Sequence, residues 1–449
     1  MTHTSNAQEL TNLSLDNALK IMRENNLELK ISKFNEQIKH YESKVTQGMS
    51  YGKLDAKIQA LRSNDAGNVF GFKVKSREAT FGDFGFTTSG FGELQNIMGA
   101  GGEIAGGEPQ ALNYPDARNH YQTTISYMLP LYTGGKLEQY QKITKSLQKM
   151  SQLDSAKLLN EKIFQTTKTF YDISLINQYI SNLTNISSNI EKLQNIVKNM
   201  REEGFAKEID ELEVETRKVE AQSMLSQAQY NKELAYQYLS FLLNKNVISI
   251  QSQTDTIPMP EINQEAFLRD NLEIQKAKLG LEISKMALKA EKANFLPNVG
   301  AFTEYGSSDN KPFNEFADKD FYTIGVQLEW NLFNGNMDKN NLEKAKVANL
   351  KVREQIDLAQ KGIGLQIAKL QTEIKSKSSD IENLQTQLTF ATKVYENYEA
   401  RYQEGISSIS DVLIKQSKEL EVLLKLLTAK NDRNAKVFEL QSILNKGEA

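Results

Sequence analysis

The sequence predicts an α+β membrane protein: four amphipathic strands per chain, continuous with long coiled-coil helical hairpins and arranged as two internal repeats. Three observations carry this. From Tyr322 to Leu332 apolar residues (Tyr322, Ile324, Val326, Leu328, Trp330, Leu332) alternate with Thr323, Gly325, Gln327, Glu329 and Asn331, the period of two of a strand with two unlike faces. At Phe333-Asn334-Gly335 the period becomes helical, and no proline interrupts the chain from there to its end. The same unit also stands 201 positions earlier without a gap: Gly134, Gly204, Asp210, Leu212 and Leu243 precede Gly335, Gly405, Asp411, Leu413 and Leu444 by that interval. Asn26-Leu27-Glu28-Leu29 precedes its counterpart Asn271-Leu272-Glu273-Ile274 by 245, so the first repeat carries 44 additional residues between its first helix and its second strand.

Composition sets the bounds. Of 449 residues 39% are hydrophobic, mean hydropathy is −0.52, and the formal charge is −3 without a basic block. Elongated helices and a barrel fit such material better than several compact cores, and nucleic-acid binding is disfavoured. The chain has no cysteine, so neither a disulfide framework nor a thiolate metal site is expected. No apolar run is long enough for a membrane helix, a criterion that says nothing against alternating barrel strands. The opening Met1-Thr2-His3-Thr4 lacks a secretory pattern and reads as a mature sequence whose precursor carried a signal.

In order, residues 1–13 read as a polar extension. Residues 14–48 read as one helix capped by Ser14, with Ala18, Leu19, Met22, Leu27, Ile31, Phe34 and Ile38 at helical spacing. A strand hairpin over 49–133 opens with Leu54, Ala56, Ile58 and Ala60 and closes with Tyr121, Ile125 and Leu129. It holds between Arg62 and Arg118 a Gly- and Phe-rich stretch that reads as a long loop, since no Gly-Lys-Ser/Thr sequence supports a phosphate site. Residues 134–245 form a helical hairpin; its first arm, from Lys136, is a rod of roughly 100 Å with a coiled-coil seam at Leu183, Ile186, Ile190, Leu193 and Val197. A linker, 246–262, precedes a helix over 263–294. Strands follow at Phe295–Tyr305 and Lys319–Leu332 within a hairpin spanning 295–334. The second helical hairpin, 335–449, has its seam at Ile381, Leu384, Leu388, Ala391, Tyr395, Tyr398 and Tyr402.

Four strands cannot span a bilayer as an open sheet, because their edge groups would face lipid unpaired. Two chains would close eight strands around a core filled by side chains; three would close twelve around water. The lipid-facing candidates are Tyr121, Ile125, Leu129, Tyr322, Ile324, Val326, Leu328 and Trp330.

The helix with Asn271-Leu272-Glu273-Ile274, the lead-in Phe295-Leu296-Pro297, the run Trp330-Asn331-Leu332-Phe333-Asn334-Gly335 and the turn from Gly405 to Asp411-Val412-Leu413, in this order and duplicated, resemble the TolC family of outer-membrane efflux and secretion channels. The resemblance implies a homotrimer with a twelve-stranded barrel in the outer membrane and a periplasmic helical tunnel. It also implies a periplasmic adaptor and an inner-membrane pump as partners, no cofactor and no catalysis, in keeping with the scatter of His3, His40 and His120. The duct would be passive and gated at its periplasmic tips. By position Asp411 and Tyr402 match the family's constriction, with Asp210 their counterpart in the first repeat. Gly204, Gly405, Leu212 and Leu413 mark the tips where an adaptor would dock. Ser407 stands where the family has an arginine and Ile414 where it has a second aspartate, so an Arg–Asp latch does not carry over. Asp210 and Asp411 equally suit helix capping, and the two roles are compatible. The alternative is a coiled-coil structural or adhesive protein of a surface apparatus, which would share the rods but would not need four alternating strands.

Overall fold

In a computed structural model the described residues are 9–99, 108–262, 267 and 269–444. The expectations for residues 1–8, for part of the Gly- and Phe-rich stretch (100–107) and for the end of the second helical hairpin (445–449) lie outside them, as does most of the start of the second-repeat helix. The chain divides into two compact units. One comprises Met1–His40, Ser146–Glu282 and Leu350–Ala449; the other comprises Tyr41–Lys145 and Ile283–Asn349.

The second unit is built on one four-stranded antiparallel sheet in the order β1 (Lys53–Ser63), β2 (Arg118–Thr133), β3 (Asn298–Asp309), β4 (Asp320–Glu329). Its register places the sequence-read apolar positions side by side: Ala56 opposes Ile125, Ile125 opposes Tyr305, and Tyr305 opposes Tyr322. Leu129, Ala301 and Val326 form the next such row but one. Among the described residues nothing covers this face on its β4 side, where Tyr322, Ile324, Val326 and Leu328 are 76, 75, 67 and 63% exposed. The opposite face is polar but holds two rings. Gly325 and Gly306 leave room for Phe302 and Phe321: a Cβ on Gly325 would sit 2.6 Å from the Phe302 ring, and one on Gly306 would meet the Thr123 carbonyl at 2.5 Å and the Phe321 ring at 3.0 Å.

Both second-repeat strands differ from expectation. β3 starts at Asn298 rather than Phe295, and β4 stops at Glu329, so Trp330 and Leu332 lie beyond it. The Trp330 indole N–H donates to the Phe295 carbonyl at 3.1 Å, closing the base of the hairpin and ending the ladder there.

The stretch read as a long loop is folded. It contains α3 (Ala66–Lys75), a 3₁₀ turn (Phe81–Phe84), α4 (Thr88–Gly99) and a short α5 (Gln110–Asn113). Its glycines and phenylalanines hide helical periodicity, but Asp65 caps α3 by accepting from the Asn68 N–H at 2.9 Å, and Lys73 pairs with Asp83.

The first unit is helical. α6 (Lys136–Glu202) and α7 (Glu208–Leu243) have 67 and 36 residues; α9 (Met337–Gln403) and α10 (Ile409–Leu444) have 67 and 36 as well. The expected seams are inside. Leu183, Ile190, Leu193 and Val197 are buried, as are Ile381, Ala391, Tyr395 and Tyr402. Residues 246–262 strap onto this unit: Arg433 donates to the Ile257 carbonyl at 2.6 Å and Asn434 to that of Asp255 at 2.9 Å.

The single helix expected over 14–48 is two, α1 (Leu15–Asn25) and α2 (Leu27–Gly48), because Asn26 is extended with ψ 126°. Its buried amide accepts from the Leu29 N–H at 3.0 Å and donates to the Leu242 carbonyl at 2.8 Å, capping α2 while satisfying the end of α7. Asn271 repeats this at α8 (Leu272–Ala293), accepting from Ile274 and donating to the Ile443 carbonyl at 3.1 Å. Asn271→Ala is expected to lower stability by about 1–3 kcal/mol, since a cap is lost and a buried carbonyl is orphaned. Thermal unfolding checks this: a midpoint equal to the parent's would reduce the motif to a sequence coincidence. α1 buries Ala18 and Met22, whereas Leu27, Ile31, Phe34 and Ile38 of α2 stand exposed as a stripe that is bare among the described residues.

Candidate functional site at the hairpin tips

The reversals between α6 and α7 and between α9 and α10 share one construction. Gly204 and Gly405 adopt φ +83° and +75°, where a side chain would be strained. The following N–H then reaches back five residues, Phe205 to the Met200 carbonyl at 2.7 Å and Ile406 to that of Arg401 at 2.8 Å, while each glycine N–H bonds three residues back. This double bond stops the helix and sends the chain back antiparallel.

The aspartates cap the returning helices. The Asp210 carboxylate accepts from the Lys207 N–H at 2.7 Å. The Asp411 carboxylate accepts from the Ser408 hydroxyl at 2.7 Å, whose oxygen accepts the Asp411 N–H at 3.1 Å. The Ser408 hydroxyl, with Lys415 and Arg401 nearby, holds the Asp411 carboxyl below the ordinary carboxylate range. Its capping contribution is therefore complete above the ordinary pKa and is lost only as pH falls through the lowered value.

Tyr402 sits elsewhere. It is 5% exposed in a cluster with Val197, Val214, Tyr395, Ile409 and Val412, and its hydroxyl is buried without a hydrogen-bond partner among the described residues. Burial, with Asp210 adding repulsion, raises its pKa. Leu413 lies in the same cluster, whereas Leu212 points outward at 54% exposure. The tips therefore bring Asp210, Asp411, Gly204 and Gly405 to exposed turns and keep Tyr402 and Leu413 as packing.

Several contacts at the tips are not legible in the sequence. Tyr398 lies between two cations, with Lys415 Nζ 5.0 Å and the Arg401 guanidinium 5.6 Å from its ring. The Ser410 hydroxyl donates to Glu213, tying one hairpin to the other. Ser407 donates to the Tyr398 carbonyl at 3.1 Å. The Ser408-Ile409-Ser410-Asp411 spacing is a capping-box pattern and was the available signal; the contact between hairpins had none. Charge is lopsided, since between Glu202 and Glu215 only Lys207 opposes a run of acidic side chains. Among the described residues no group of acidic and histidine side chains could hold a metal ion, and no helix is long and apolar enough to cross a membrane.

A small antiparallel sheet joined in sequence to paired long helical hairpins is a fold this chain shares with solved outer-membrane channels. Residues 264–446 match the family described as outer membrane efflux protein. The structure of CusC, described in terms of folding and transmembrane channel formation, superposes with a TM-score of 0.79 at 14% identity, covering 96% of this chain and 92% of that one. The CmeC outer membrane channel of Campylobacter jejuni gives 0.77 at 14% identity over 96% and 86%, and the MtrE outer membrane channel of Neisseria gonorrhoeae in its open state 0.74 at 15% over 99% and 93%. No curated protein matches the sequence significantly. The resemblance to outer-membrane efflux channels thus holds in fold along nearly the whole chain and in sequence family over residues 264–446.

Proposed function

We propose that the chain is the outer-membrane exit duct of a tripartite efflux or type I secretion system: a passive homotrimer whose twelve strands close a barrel. Its helical hairpins reach into the periplasm, where an adaptor and an inner-membrane pump engage the tips. One observation carries the reading: the apolar face of the sheet is aligned by register across four strands, yet its β4 side is left uncovered. A soluble protein would bury or break such a face, whereas a lipid-facing barrel wall requires it. The open edges of β1 and β4 and the bare stripe on α2 are then contacts with neighbouring copies. The equal helix lengths of the two halves support a duplicated unit. Energy for transport comes from the pump, and nothing in the duct needs to react.

Detergent-purified protein, crosslinked to count chains and added to planar bilayers, tests this. Trimers that insert and conduct are expected. A soluble species that never inserts would overturn the reading and leave the strands as the head of a coiled-coil stalk.

At the tips, three copies of Asp411 would ring the narrowest point and favour cations. Asp411→Asn is expected to reduce cation-over-anion selectivity about twofold or more, measured as a reversal potential in a salt gradient. Selectivity equal to the parent's would remove Asp411 from the constriction and leave it only its capping role.

A further inference from the structure

We propose that the folded segment Ala66–Phe84 is an outer lid that lies on the water-facing side of the sheet and narrows the mouth of the duct, an inference that rests on the duct reading above. The face it covers decides the matter. His120 belongs to the Gln122, Thr124, Ser126 side of β2, the side opposite Tyr121 and Ile125. The Phe72 ring of α3 stacks on the His120 ring with centroids 4.2 Å apart and planes within 4°, and both residues are buried. Thr124 and Ser308, on the same side of β2 and β3, are buried too; at this end Ser307 and Asp309 of the other side are also buried, so it is the Phe72–His120 stack that marks the covered face. A segment that merely added external surface would have no reason to fold over the polar face. In a closed barrel that face lines the lumen, so three copies would converge on the axis.

Charge holds it there. Glu78, just past α3, sits between Arg118 at the start of β2 and Lys319 just before β4, accepting from Lys319 Nζ at 2.6 Å and from Arg118. Arg77 beside it donates to the carbonyls of Asp318 and Asp320, each at 2.5 Å. These contacts join the segment to both hairpins of the sheet. Reversing the charge of Glu78 sets it against Lys319 and Arg118 and should release the segment without touching either strand ladder.

Because the chain has no cysteine, single thiols report cleanly. Ser126→Cys on the His120 side of β2 and Val326→Cys on the apolar face are placed in the parent and in Glu78→Lys. Whole cells are then labelled from outside with a membrane-impermeant maleimide. The thiol at 126 is expected to react on the order of tenfold faster with Glu78→Lys, while the thiol at 326 stays protected in both. Phe72→Ala, which removes the stacked ring without adding charge, should act in the same direction and carries the test if Glu78→Lys does not reach the membrane. Equal labelling of position 126 with and without these substitutions, fast or slow, would overturn the lid. Ready labelling of position 326 in the parent would instead overturn the duct reading itself, so the two failures are distinguishable.

Discussion

Val326→Arg is expected to abolish recovery of the trimer from the outer-membrane fraction, while Gln327→Arg one residue away is tolerated. Val326 lies midway along β4, opposite Ala301, in a row with Leu129. In one chain its side chain is 67% exposed, and on a soluble surface an arginine there would cost within about 0.5 kcal/mol. In a barrel wall each arginine near the bilayer midplane costs about 2–4 kcal/mol, and symmetry applies that cost three times. Gln327 points to the other face, where charge meets water. The contrast between the two variants is therefore a direct reading of which face meets lipid. Fractionation and a count of crosslinked trimers check it; equal yields of the two variants would show that the exposed apolar face is not a lipid face.

That this experiment can be designed on the sequence says how much was legible there. Alternation over Tyr322–Leu328 and its counterparts in the first repeat survives as register, because a slip by one residue would turn every side chain to the other face. Helices of 67 and 36 residues occur in each half, in keeping with the interval of 201 positions, and the seams from Leu183 and Ile381 survive as buried stripes. The failures have particular causes. Asn26 and Asn271 break a helix that periodicity runs straight through, because their function lies in a carbonyl 216 or 172 residues away. The insert was opaque because glycine and phenylalanine carry no helical pattern and its ties run to Lys319 and His120, far along the chain. At the tips the glycine turns and capping aspartates were legible as local chemistry. The packing of Tyr402 and the Ser410–Glu213 contact depend on which hairpins adjoin, and no spacing encodes that.

Lys319→Met is expected to unfasten the hairpin end of the sheet. The lysine is buried at 7% side-chain exposure, with its Nζ 2.6 Å from Glu78, 2.9 Å from Asp309 and 3.1 Å from Glu315. Burial alone would depress its pKa, but Asp309 and Glu315 outweigh that and hold it above the ordinary lysine value. Its contribution is thus whole throughout the physiological range and is lost only as pH rises through that raised value. Methionine keeps the packed stem and removes the charge, leaving Glu78, Asp309 and Glu315 to repel one another. Breaking a buried ionic contact in this way costs about 3–5 kcal/mol, enough to free residues 66–84 locally without unfolding the helices. Limited trypsin digestion checks it, since Lys75 and Arg77 lie in the segment that would come loose. Rapid cleavage there is expected for Lys319→Met and slow cleavage for the parent and Lys319→Arg. Adding Glu78→Gln should recover part of the loss, because the second change removes one of the stranded charges. A Lys319→Met protein as resistant as the parent would mean that Arg77 and the Phe72–His120 stack hold the segment alone, and that the charge cluster adds little to it.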